Sequence, residues 1–203
     1  MSVDQLIAQQ VVELEPYESP DFDKGSTAVR LNANEYPQDC PMTVALSDMN
    51  RYPQAQSTLL KKAYADYAGL TPEQVLVCRG GDEAIEVLVR AFCTPGSDKI
   101  LICPPTYAMY AISAQTANVG IARVPMIECA FDEAQIDAAL SADASIKVLF
   151  LCNPNNPLTS TVTPQALESV VKTVAGRAIV VIDEAYIEFA SALSCADFVN
   201  RYD

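Results

Sequence analysis

A three-layer αβα fold around a mostly parallel sheet is what this sequence predicts, and three observations predict it. Apolar runs recur between residues 75 and 182 and alternate with stretches of helical periodicity. The runs are nearly continuous, as in strands buried on both faces. Glycine, proline, asparagine or aspartate follows each run, at the carboxyl end where open α/β sheets bind ligands.

The elements can be read in order. Val3 to Val12 has the spacing of a short helix, followed by an arm with Pro16, Pro20 and an acidic, polar stretch; residues 31–50 are polar loops. Ser57 to Ala68 places Leu59, Leu60, Ala63, Tyr64 and Tyr67 on one helical face. Thr71 to Gln74 is a brief turn or helical start. Val75–Cys78 is the first strand, Arg79–Asp82 its turn and Glu83–Phe92 an apolar helix stopped by Pro95-Gly96. Lys99–Cys103, Ile121–Val124, Lys147–Cys152 and Ala178–Ile182 are four further strands. The helices between them cover roughly Ala108–Ala117, Asp132–Leu140 and Pro164–Val174, the last opened by a Thr163 cap and a first-turn proline. Such alternation implies right-handed crossovers and parallel pairing. Residues 1–50 are taken as an N-terminal arm with part of a small domain, and residues 51–203 as part of a larger α/β domain.

The 203 residues suit one ordinary domain with an attachment. Twenty-six acids against 13 bases give a formal charge of -13, which repels nucleic acid and anionic membranes. Seven cysteines in an odd, scattered set favour a reducing cytoplasm over a disulfide framework. Histidine is absent, which removes imidazole bases, triads and common zinc sites. The N-terminus lacks a signal-peptide pattern and no stretch reaches membrane-spanning length.

Polar residues gather at the strand ends. Asp183 closes the Ala178–Ile182 run, where an isolated carboxylate is poorly solvated and needs a cationic partner. A protonated ring nitrogen on a cofactor serves, and the carboxylate would hold it protonated. A metal role is weaker, because Asp183 and Glu184 point to opposite sides of a strand. At Gly80-Gly81-Asp82-Glu83, free helix-start N–H groups suit a phosphate; an ordinary glycine turn with Asp82 as cap is the alternative. Tyr107, after two prolines, suits stacking on a planar ligand or plain core packing, with Tyr110 one turn away. In Asn153-Pro154-Asn155-Asn156-Pro157, Asn156 is a side-chain donor candidate, with turn chemistry as the competing role. Tyr52, Asn32, Asn34, Glu35 and Tyr36 form a second polar group, either a surface loop or an arm over a pocket.

Taken in order, Leu31-Asn32-Ala33-Asn34-Glu35, Arg51-Tyr52-Pro53, Arg79-Gly80-Gly81-Asp82-Glu83, Pro104-Pro105-Thr106-Tyr107-Ala108-Met109-Tyr110, the Asn153–Pro157 segment and Asp183-Glu184-Ala185-Tyr186-Ile187-Glu188-Phe189 make a set. From about residue 25 to 195 the chain resembles the histidinol-phosphate aminotransferase family, fold-type I enzymes that use pyridoxal 5'-phosphate. The resemblance implies that the backbone of Gly81, Asp82 and Glu83 holds the cofactor phosphate and that Tyr107 stacks on the ring. It implies Asn156 and Tyr186 as donors to the 3'-oxygen and Asp183 as partner of the ring nitrogen. Tyr52 would reach the phosphate in the neighbouring subunit of a homodimer. Asn32, Glu35 and Tyr110 would lie near the substrate. The implied reaction moves an amino group between histidinol phosphate and 2-oxoglutarate, giving glutamate, in histidine biosynthesis.

The sequence departs from the pattern twice. Asn156-Pro157-Leu158-Thr159 stands where these families usually read Asn-Pro-Thr-Gly. The family's cofactor-linking lysine follows a serine about 30 residues beyond the aspartate. Lys24, Lys61, Lys62, Lys99, Lys147 and Lys172 all precede Asp183, and none follows a serine. The expectation is therefore an N-terminal portion of a larger enzyme. Its rivals are another fold-type I aminotransferase, a relative acting as a threonine-phosphate decarboxylase, and a cofactor-binding piece without turnover.

Overall fold

A computed structural model describes residues 3–14, 34–44, 47, 49–190 and 194–202. The chain divides into two compact units, Met1–Leu14 with Gln56–Asp203, and Glu15–Ala55. The first unit carries the sheet.

The N-terminal helical pattern breaks into two short pieces, a 3₁₀ turn at Val3–Leu6 and a single α turn, α1 (Gln9–Val12). The expected continuous helix is not formed; α1 has no side-chain cap and no buried residue to hold it. Helix α2 (Thr58–Ala68) is as expected, with the Ser57 side chain accepting from Leu60 N and Gly69 closing it in the left-handed region. Its apolar face stays largely uncovered: Leu59, Leu60, Tyr64 and Tyr67 are exposed and only Ala65 is buried.

Val75–Cys78, predicted as a strand, pairs with no strand among the described residues. It is extended at Val75, and the side chain of Gln56 takes the place of a neighbouring ladder: Val77 N donates to Gln56 Oε1 at 2.8 Å and Gln56 Nε2 donates to Val77 O at 3.0 Å. Helix α3 (Gly81–Phe92) begins two residues earlier than its apolar pattern suggests, with Gly80 rather than Asp82 at the cap. Gly80 has φ 90° and ψ 179°, a conformation open to glycine and costly for other residues.

The remaining elements follow the predicted alternation: β1 (Lys99–Ile102), α4 (Met109–Thr116), β2 (Gly120–Arg123), α5 (Glu133–Ala142), β3 (Ile146–Cys152), α6 (Pro164–Val174) and β4 (Ile179–Asp183). Asp132 and Thr163 cap α5 and α6 through their side chains. All four strands are parallel, in the order β2-β1-β3-β4. Ile85 and Val89 of α3 with Tyr110 and Ala114 of α4 pack on one face, against Ile100, Val148 and Phe150. Ile136 and Leu140 of α5 with Leu167, Val170 and Val174 of α6 pack on the other, against Leu101, Leu149 and Leu151. This is the expected three-layer α/β arrangement. β3, flanked on both sides, has six of its seven residues buried, as its continuous apolar sequence requires. Among the described residues no helix is long and apolar enough to cross a membrane.

Candidate functional site

The strand order fixes where a ligand site is expected. From β1 the chain moves outward to β2, then returns across to β3 and continues outward to β4. The reversal lies between β1 and β3, so the loops leaving those strands diverge there and open a crevice at their carboxyl ends. Pro104–Ala108 leaves β1 and Asn153–Thr163 leaves β3, with Asp183 alongside at the end of β4. Parallel pairing runs into the site, since Asn153 N donates to Asp183 O at 2.9 Å and Met126 N donates to Pro104 O at 2.8 Å.

Asp183 is half-buried and holds two donors. Tyr110 Oη donates to its Oδ2 at 2.6 Å and Ala185 N donates to its Oδ1 at 3.0 Å. Tyr110 is fully buried, with its ring stacked on Phe150 at 4.7 Å between centroids and 12° between planes. Burial first, and the adjacent Asp183 charge second, push its phenol far above the ordinary value. The hydroxyl therefore keeps its proton and remains a donor. Expected beside a substrate, Tyr110 is seen here turned inward to Asp183.

Tyr107 meets Tyr110 edge-on at 5.7 Å and 85°, and its hydroxyl donates to Asp82 Oδ1 at 3.0 Å. One chain of contacts thus joins the start of α3, the loop after β1 and the end of β4. Burial also raises the thiols lining this region: Cys103 is pushed up to about 12 and Cys152 moves in the same direction. Both behave as apolar filling.

The three asparagines after β3 divide their work. Asn153 brackets Val162, donating to its carbonyl at 3.2 Å and accepting from its N–H at 2.7 Å. Asn155 donates to Pro105 O at 3.2 Å and accepts from Leu158 N at 3.1 Å, tying the two loops of the crevice together. Both are buried and do the turn chemistry that such sequences invite. The carboxamide of half-buried Asn156 has no hydrogen-bond partner among the described residues. Tyr186, on the turn after β4, is half-buried and precedes a 3₁₀ turn at Ile187–Phe189.

At the start of α3, the N–H groups of Gly81, Asp82 and Glu83 have no intrahelical acceptor, and Gly80 supplies no side-chain cap. Glu83 reaches back instead: its Oε2 accepts from Arg79 N at 2.5 Å and its Oε1 pairs with the Arg79 guanidinium at 2.6 Å. Arg79 holds the Glu83 carboxyl below its usual range. Glu83 thus bonds the amide one residue before the Gly80 cap, a contact the motif reading overlooked. An open cleft of about 400 Å³ touches this corner, lined by Arg79, Asp82, Glu83, Glu86 and Met109 among others. It runs along α3 and α4 and does not include Tyr107, Asn156, Asp183 or Tyr186.

Asp82, Tyr107, Tyr110 and Asp183 are therefore connected, and Asn156 and Tyr186 lie on the adjoining turns. Glu35 and Tyr52 belong to the Glu15–Ala55 unit and are exposed there; Asn32 lies outside the described residues. Lys99 and Lys147 sit at the amino ends of β1 and β3, a strand length away from Asp183. Among the described residues no group of three or more histidine, cysteine, aspartate or glutamate side chains is gathered as for a metal ion.

The sequence matches the aminotransferase class I and II family over residues 20–203. It is 47% identical to the histidinol-phosphate aminotransferase of Aeromonas salmonicida over 204 residues, covering 100% of this chain and 56% of that protein. It is also 47% identical to histidinol-phosphate aminotransferase 2 of Idiomarina loihiensis, covering 98% of this chain and 57% of that protein. The chain thus spans little more than half the length of these curated relatives. Among solved structures, the histidinol-phosphate aminotransferase of Clostridium acetobutylicum superposes with a TM-score of 0.60 at 26% identity, covering 70% of this chain and 42% of that one. A tyrosine aminotransferase of Leishmania infantum gives a TM-score of 0.66 at 22% identity over 74% of this chain and 41% of its own, a likeness of fold alone.

Proposed function

The chain belongs to the aminotransferase class I and II family, and on that premise we propose that it carries the cofactor-binding part of a pyridoxal 5'-phosphate-dependent histidinol-phosphate aminotransferase. The observation that carries this reading is Asp183: a carboxylate at a strand end beside the switch point, aimed and partly satisfied by Tyr110 and Ala185 N. A carboxylate offers about four acceptor positions. Two are used, so Asp183 retains capacity for a protonated ring nitrogen, and the group fits.

When bound, pyridoxal 5'-phosphate supplies an aldehyde that takes an amino nitrogen and a conjugated pyridine ring that accepts electrons. Asp183 would stabilise positive charge on the ring nitrogen and so keep a proton there. Asn156, whose carboxamide no described residue uses, and Tyr186 would donate to the 3'-oxygen. Tyr107 would lie against the ring face and fix its orientation. The N–H groups of Gly81, Asp82 and Glu83 would hold the phosphate at the positive end of α3. In a homodimer Tyr52 would reach the phosphate across the interface, with Asn32 and Glu35 toward the substrate. Residues 1–50 would then serve as arm and part of a small domain. The names of the relatives support histidinol phosphate as amino donor, and 2-oxoglutarate is proposed as acceptor on the sequence resemblance alone.

Titrating the full chain and its Asp183→Asn variant with pyridoxal 5'-phosphate, followed by absorbance, tests the cofactor reading. The variant should bind at least about tenfold more weakly, the value of a charge-assisted hydrogen bond. Equal affinity would remove Asp183 from the site and with it the argument. For the substrate, in a longer form of the protein that includes the cofactor-linking lysine, amino transfer from histidinol phosphate to 2-oxoglutarate should exceed transfer from tyrosine; the reverse order would reassign the substrate class.

A further inference from the structure

We infer that Tyr110 is a positioning residue for Asp183, committed to fixing that carboxylate rather than to touching substrate; this rests on the cofactor reading above. Tyr110 has no exposed surface, its ring is clamped between Phe150 and Tyr107, and its hydroxyl reaches Asp183 Oδ2 at 2.6 Å. The clamp leaves the phenol no alternative rotamer without opening the core on the α3/α4 face of the sheet, where Tyr110 is among the largest fully buried side chains.

The placement has a chemical consequence. Asp183 is the last residue of β4, and its carbonyl accepts from Asn153 N, just past the end of β3, at 2.9 Å. Backbone pairing with β3 holds its main chain. Its side chain would swing about χ1 but for two restraints, the Ala185 amide on one oxygen and the Tyr110 hydroxyl on the other. Held at both oxygens, the carboxylate plane is fixed before any ligand arrives, so its ordering cost is already met by packing. Tyr110 donates, and it cannot accept a proton from the ring or deliver one to it while buried. It acts on the ring nitrogen only through Asp183.

The test is a double-substitution cycle with Tyr110→Phe, Asp183→Asn and both together in the full chain, read in two ways. Tyr110→Phe retains the ring and its stacking, so the fold is kept. In denaturant melts, which need no cofactor, the two substitutions should be non-additive, the double variant being little worse than Tyr110→Phe alone. In titration with pyridoxal 5'-phosphate, Tyr110→Phe should weaken binding about tenfold when Asp183 is present and by less than about twofold in the Asp183→Asn background. Additive melts would overturn the inference, because the contact would then carry no coupling. Equal losses of affinity in both backgrounds would overturn it too, leaving Tyr110 a packing residue. If Asp183→Asn alone binds the cofactor like the wild type, the cofactor reading fails, while the melts still decide whether Tyr110 holds Asp183.

Discussion

Val75–Cys78 and Lys99–Ile102 are both four-residue, mostly apolar segments between helical patterns, and the same reading makes both of them strands. Lys99–Ile102 lies between β2 and β3, and Ile100, Leu101 and Ile102 are buried. Val75–Cys78 has no strand beside it among the described residues, Leu76 is 64% exposed, and one glutamine side chain bonds both backbone groups of Val77. The difference is not in β-propensity. An apolar run becomes a strand only where a ladder partner satisfies its backbone and a helix covers its face. Lys99–Ile102 has both, whereas Val75–Cys78 has no ladder among the described residues and leaves Leu76 uncovered.

The comparison can be broken or sharpened by substitution. Leu101→Ala, at the centre of the paired segment and fully buried against α5 and α6 residues, should cost about 2–5 kcal/mol in denaturant melts. A loss under 1 kcal/mol would mean that β1 is no more fixed than Val75–Cys78. Gln56→Ala removes both bonds to Val77 and should cost about 1 kcal/mol, with faster amide exchange at Val77 as the local sign. Unchanged exchange there would show that the glutamine does not stand in for a strand.

A smaller effect concerns the amino end of β1. Lys99, then the Ser145 hydroxyl and amide, holds the Asp143 carboxyl far below its ordinary value. Because the folded value is depressed, this contribution is present above the unfolded value of about 3.9 and is lost as pH falls toward the folded one. Wild-type melting temperature should drop below about pH 4, and Asp143→Asn should flatten part of that slope. An identical acid profile in the variant would place the pair outside the stability of the sheet. The smallest change is expected at Leu76. Leu76→Ser should shift stability by less than about 0.5 kcal/mol, yet reduce self-association measured by sedimentation. The unpaired segment and the bare face of α2 (Leu59, Leu60, Tyr64 and Tyr67) leave apolar surface that favours association.

Much of this molecule was legible before any coordinates, because the responsible forces are local. Ser57, Asp132 and Thr163 cap helices as their residue types demand, and the unalternating run at Lys147–Cys152 could only be a buried strand. The placement of Asp183 at a strand end followed from the same reading. Parts of the site were less accessible. Which of Asn153, Asn155 and Asn156 stays uncommitted depends on Val162, across the same loop, and on Pro105, 50 positions away.

By itself, then, the chain's order of residues determined the alternation of helices and strands, their parallel sense and the strand ends that bear polar groups, since period, capping and burial act over a few neighbours. Only the tertiary structure decided that Gln56 bonds both backbone groups of Val77 and that Tyr110 turns inward to Asp183, 73 positions away. Both depend on which segments become neighbours in space, and hydrogen bonds and packing across such distances leave no mark in local periodicity.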